Sequence, residues 1–99
     1  MRPAARFAVR TTPCYERLSH RLFNSHSDFE AAERRAVEVL STDPHNLSRR
    51  HQIKELQGVR SGEGQWRLRQ GRWRFRHDIW SGRREVELSY CGLRRENTY

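Results

Sequence analysis

The sequence predicts an α+β fold: a short β-strand, a two-helix hairpin, then a three-stranded antiparallel meander, with the helices on one face of a small, mainly antiparallel sheet. Three observations predict it. Apolar residues recur at helical spacing between Pro13 and Leu40. Arginine and apolar residues alternate strictly from Trp66 to Arg76 around one Gln70-Gly71 break. A second alternating run spans Glu85–Tyr90. Two helices can cover one face of an antiparallel sheet and leave the other in water.

The elements follow in order. Residues 6–10, Arg-Phe-Ala-Val-Arg, alternate and read as the first strand. Thr11-Thr12-Pro13 reads as an N-cap followed by proline in the first helical turn. Tyr15, Leu18 and Leu22 form one face of a helix that ends near Asn24. Ser27-Asp28-Phe29-Glu30 matches a capping box. Phe29, Ala32, Ala36, Val39 and Leu40 continue an apolar stripe that Asp43-Pro44 stops. Residues 44–63 are the least regular, with Leu47, Ile53 and Leu56 as candidate anchors to the core and Gly58, Gly62 and Gly64 marking loop.

With Gln70-Gly71 as a hairpin loop, Arg69 faces Arg72 and Arg67 faces Arg74. Arg67, Arg69, Arg72, Arg74 and Arg76 then share one face, and Trp66, Leu68, Trp73 and Phe75 the other. With a Ser81-Gly82 loop, Arg76 faces Glu87, with which it is expected to pair, and Phe75 faces Leu88. Val86, Leu88 and Tyr90 fall on the apolar face; Glu85, Glu87, Ser89 and Cys91 fall with the arginines. His77 takes the apolar face and reads as a core histidine, as Trp66 and Trp73 read as core aromatics. Trp80 has the opposite parity and is expected near a turn, exposed.

The 99 residues are predicted to form one domain. The formal charge is +8, carried by nineteen arginines and a single lysine, Lys54. Such a balance selects nucleic acid, anionic lipid or an acidic protein as partner. Arginine forks suit phosphate, although high genomic GC content produces the same bias. No secretory signal follows Met1 and no apolar stretch spans a membrane, so Cys14 and Cys91 are expected as reduced thiols in a cytoplasmic protein. The five histidines do not pair with each other or with cysteine at zinc spacing, so no metal and no cofactor is expected. Like charges directly opposed on a hairpin repel. The arginine face therefore calls for a polyanion.

In this order and at this length, three segments carry a resemblance. They are the helical hairpin ending at Asp43-Pro44, the run Ile53-Lys54-Glu55-Leu56-Gln57-Gly58 leading into Trp66-Arg67-Leu68-Arg69 and Gly71-Arg72-Trp73-Arg74, and the ending Arg94-Arg95-Glu96-Asn97-Thr98-Tyr99. From Phe7 to Tyr99 the sequence resembles the RelE/ParE superfamily of bacterial toxins from type II toxin–antitoxin modules. The resemblance implies a toxin held by a cognate antitoxin protein. Its RelE-like branch consists of metal-independent endoribonucleases that cut mRNA on the ribosome and so inhibit translation; its ParE-like branch inhibits DNA gyrase. That second branch commonly carries residues beyond the last strand, which favours the first here. By position, the ribonuclease site maps onto Arg67 and Arg69, Arg74, Arg95 and Tyr99. Arg74, Arg95 and Tyr99 are the catalytic candidates. Arg67, Arg69, Arg72, Arg76, Arg94 and Lys54 are the candidates for RNA phosphate, and His51 and Glu96 for acid–base work. Strand positions that are often lysine in that branch are arginine here. An arginine does not give up its proton, so Arg67 and Arg69 stabilise charge and the base lies elsewhere. A non-catalytic RNA- or ribosome-binding domain would carry the same basic face.

Overall fold

The computed structural model describes residues 6–93. Its elements are β1 (Ala8–Thr11), α1 (Pro13–Ser25), α2 (Phe29–Thr42), β2 (Gln52–Glu55), β3 (Trp66–Gln70), β4 (Trp73–Trp80), a 3₁₀ turn (Ser81–Arg83) and β5 (Glu85–Leu93). The fold is α+β: two helices and one five-stranded sheet of order β1-β5-β4-β3-β2. Only the β1–β5 pair is parallel.

The helices start as their termini dictate, with one exception. The Thr12 hydroxyl accepts the Tyr15 N–H at 3.1 Å and Pro13 opens α1. At α2 the expected capping box does not form. The cap is Asp28, and it makes no side-chain bond to its own helix. Its carboxylate instead accepts Arg72 Nε at 2.9 Å, Arg72 Nη2 at 2.8 Å and Trp73 Nε1 at 3.0 Å. The charged Arg72 partner outcompetes a local backbone N–H.

Both helices lie on one face of the sheet. Tyr15, Phe29, Ala36, Val39 and Leu40 are buried against Leu68, Trp73, Phe75, Val86, Leu88 and Cys91. Trp66 is half-buried rather than fully core. His77 is fully buried in this layer, as its parity requires.

Several expectations are corrected. Residues 52–55 form a fifth strand, β2, paired with β3. Only Ile53 among Gln52-Ile53-Lys54-Glu55 is apolar, so the segment shows too little alternation to read as a strand. Leu47 does not pin this region: it is 83% exposed, while Ile53 packs on the core and Leu56 is half-buried.

The first hairpin loop is Gly71-Arg72, not Gln70-Gly71. Gln70 pairs with Trp73, Arg69 with Arg74 and Arg67 with Arg76. Gly71 has φ 63°, the pattern of a turn with glycine first. The register moves by two residues, which leaves every side chain on its predicted face. Arg72 alone is lost, because it becomes the turn.

The second loop is also longer. Residues 81–84 separate Trp80 from its partner Glu85, and Arg84 takes a left-handed conformation at φ 52°. Glu87 consequently stands opposite Asp78 and forms an ion pair with Arg10 at 3.6 Å, not with Arg76.

Finally, β5 carries a bulge. His77 pairs with Leu88 but Arg76 pairs with Tyr90, leaving Ser89 as an extra residue. One extra residue inverts the faces beyond it. Cys91 therefore enters the core, 1% exposed, and Tyr90 emerges on the opposite face, 40% exposed.

Candidate functional site

The face turned away from the helices is built by register. Reading across β2, β3, β4 and β5, one row is Lys54, Arg67, Arg76, Tyr90; the next is Gln52, Arg69, Arg74, Gly92. Adjacent strands lie about 4.8 Å apart. Five cationic side chains thus occupy eight neighbouring positions, and two arginine pairs are directly opposed: Arg67 with Arg76, and Arg69 with Arg74.

The arginines are buried or half-buried. Arg74 is 6% exposed. The Nε atoms of Arg67, Arg69 and Arg74 are all buried. Arg67 Nε has no hydrogen-bond partner among the described residues. Arg67 and Arg76 also line a recess of about 340 Å³ whose apolar wall is Leu56 and Val59.

Arg76 is fixed differently. It donates Nε to the Gly64 carbonyl at 3.0 Å and Nη2 to the Glu63 carbonyl at 3.2 Å. Asp78 holds that loop in place. Its buried carboxylate accepts the backbone N–H groups of Gly62 at 2.9 Å, Gly64 at 2.9 Å and Gln65 at 3.1 Å. Gly64 sits at φ 76°, and a Cβ there would stand 2.9 Å from Ser89 Oγ. The loop therefore packs on this face against Asp78, Ser89 and Arg76, while Arg10 engages Glu85 and Glu87.

His51 stands at the end of β2, just before Gln52. With Arg35, Arg50 and Arg69 it lines a cleft of about 200 Å³. Its backbone is clamped by Asn46, which accepts the His51 N–H at 3.1 Å and donates to its carbonyl at 2.8 Å. His51 Nε2 is 3.8 Å from Asp43 Oδ2. Burial is the largest single influence on Asp43 and raises its pKa. The Ser48 hydroxyl and the Ser48 and Leu47 N–H groups together outweigh it and lower the carboxyl below its ordinary value. A carboxylate thus stands behind the imidazole, at ion-pair rather than hydrogen-bond distance.

The structure brings Arg67, Arg69, Arg74, Arg76 and Lys54 together; His51 packs against the C-terminal half of α2 and of these residues meets only Arg69, at the sheet edge. Arg72 is not among them. It leaves the face for Asp28, whose carboxyl its guanidinium holds well below the usual carboxylate range. Arg94, Arg95, Glu96 and Tyr99 lie outside the described residues. Among the described residues no group of three or more metal-ligating side chains clusters, and no helix is long and apolar enough to cross a membrane. Two members of the face were not anticipated. Asp78 had a signal, since its parity in β4 is that of the arginines and a Gly-rich loop precedes the strand pair. Tyr90 had none, because nothing local announces the Ser89 bulge.

No family model matches the chain, and no curated protein matches its sequence. Among solved structures it is similar to a chain of the toxin–antitoxin complex RelBE2 from Mycobacterium tuberculosis. The TM-score is 0.62 at 22% sequence identity, over 92% of this chain and 94% of that one. The likeness is one of fold.

Proposed function

We propose that this chain is the toxin of a toxin–antitoxin pair and acts as a metal-independent endoribonuclease on mRNA. The observation that carries the reading is the two pairs of directly opposed arginines, Arg67 with Arg76 and Arg69 with Arg74, gathered on the face turned away from the helices. Like charges so placed are tolerated when an anion lies between them. The buried Arg67 Nε, which has no acceptor among the described residues, adds a second demand for one. The likeness of fold to a chain from a toxin–antitoxin complex supports the toxin role and a protein antitoxin as partner.

The chemistry follows from what these groups can do. Cleavage without a metal needs a base for the 2′-OH, donors for the charged phosphorane and an acid for the leaving 5′-oxygen. Preorganised donors supply the largest part of such catalysis. Arg67, Arg69 and Arg74 take that task. They cannot take the proton. His51, backed by Asp43 beside Arg69, is the proton-transfer candidate among the described residues. Tyr99, with Arg95 as a further phosphate donor, is the candidate from the terminal segment.

The test is RNA sequencing after brief induction, with new 5′ ends mapped against reading frame. New ends within translated messages that disappear in Arg74→Ala and Tyr99→Phe are expected. Growth inhibition with intact mRNA and stalled gyrase complexes would overturn the ribonuclease reading. Growth inhibition with intact mRNA and salt-sensitive RNA binding would reduce it to a binding module.

A further inference from the structure

Tyr90 is the one aromatic side chain in the two cationic rows, and its position is specific. The Ser89 bulge turns it out of the core and sets it opposite Arg76. From there it runs along β5 and lies over Gly92. A Cβ on Gly92 would come within 2.3 Å of the Tyr90 hydroxyl oxygen and 2.9 Å of Cζ. Gly92 is itself the register partner of Arg74. The ring therefore reaches from the row of Arg76 to that of Arg74, whose register partner it covers. It also borders a cleft of about 460 Å³ whose far wall is Leu18 and Leu22 of α1. That volume suits a small organic group. The cleft opens at the sheet edge, since β1 pairs only with Glu85–Leu88 and runs no further along β5.

A bulge, an exposed aromatic ring and a glycine whose missing side chain makes room for that ring are all spent on one spot. Packing in the core does not explain them, because Tyr90 is 40% exposed. An aromatic face beside fixed cations is what single-stranded nucleic acid uses, with the base on the ring and the phosphate on the arginines. We infer that Tyr90 is the stacking platform for a nucleobase whose flanking phosphates lie on Arg76 and Arg67, the partly exposed arginines of its own row. This rests on the RNA reading above and adds the residue that holds the base.

The experiment measures binding of the full chain to two fluorescein-labelled 2′-O-methyl oligoribonucleotides of equal length by anisotropy. One is oligoadenylate; the other carries abasic sites on the same backbone. The wild type is expected to bind the adenylate about tenfold tighter. Tyr90→Phe keeps that preference. Tyr90→Leu abolishes it without changing the salt dependence. Gly92→Ala, which retains the tyrosine but displaces its ring, abolishes it as well; circular dichroism checks that each variant is folded. Retention of the preference in Tyr90→Leu overturns the inference, as does its loss in Tyr90→Phe. If the wild type binds both oligonucleotides equally and with steep salt dependence, the phosphate reading stands and the stacking inference falls. If it binds neither at low salt, both fall.

Discussion

His77 shows how one buried side chain sets a pH limit on the whole protein. It is fully buried, stacks on Trp66 with ring centroids 6.3 Å apart, and lies 3.4 Å from the Pro44 carbonyl through Nε2. Its Nδ1 has no hydrogen-bond partner among the described residues. Burial pushes its pKa down to about 4, and the Pro44 carbonyl only partly opposes this. In the unfolded chain the imidazole titrates near its ordinary 6.5. Between these values the unfolded state binds the extra proton, so stability is complete above about pH 6.5 and falls as the pH drops toward 4. The loss is roughly 3 kcal/mol for a shift of this size. The expected result is a denaturant midpoint that drops between about pH 7 and about pH 4.5, with a flatter profile in His77→Phe. An equally steep profile in the variant would remove His77 as the cause. The placement of His77 in the core was legible from parity alone. The approach of its Nε2 to the Pro44 carbonyl was not, because Pro44 is far away in sequence.

At the scale of elements, the Gly62–Gln65 loop and β4 form one unit through Asp78. Three backbone N–H groups converge on a buried carboxylate, and the loop carbonyls in turn hold Arg76. Charge-assisted bonds of this kind are the strong ones, and losing their acceptor strands buried donors. Asp78→Ala is expected to cost about 3 kcal/mol of stability in chemical denaturation. It should also release amide exchange at Gly62, Gly64 and Gln65 selectively. Uniform exchange through the whole sheet would mean that the loop is not held by Asp78. The hairpin itself was readable because alternation is local and a two-residue slip preserves the faces. The bulge at Ser89 was not readable. It is decided by where Cys91 and Leu93 find room under α1, and the alternation of Val86 and Leu88 gives no warning of it.

Across the whole molecule, the +8 charge is not spread evenly in its effect. Arg10 shares the open face with Arg69 but is engaged by Glu85 at 3.8 Å and Glu87 at 3.6 Å. Arg69 stands in the cationic rows opposite Arg74. If single-stranded RNA lies on those rows, Arg69→Gln should lower the slope of log affinity against log salt by about 0.7. Arg10→Gln should leave that slope unchanged. Equal effects from both would assign binding to net charge rather than to the face.

Parity along a strand is a local property, and it determined the fold class, the layer of helices over the sheet and the gathering of Arg67, Arg69, Arg74 and Arg76 on the far side. Three things waited for the tertiary structure: the pull of Asp28 on Arg72, the addition of β2 with Lys54 beside Arg67, and the turning out of Tyr90. Each depends on a partner brought close only by folding. A carboxylate, a strand edge or a space in the core decides such matters, and none of them leaves a period in the sequence.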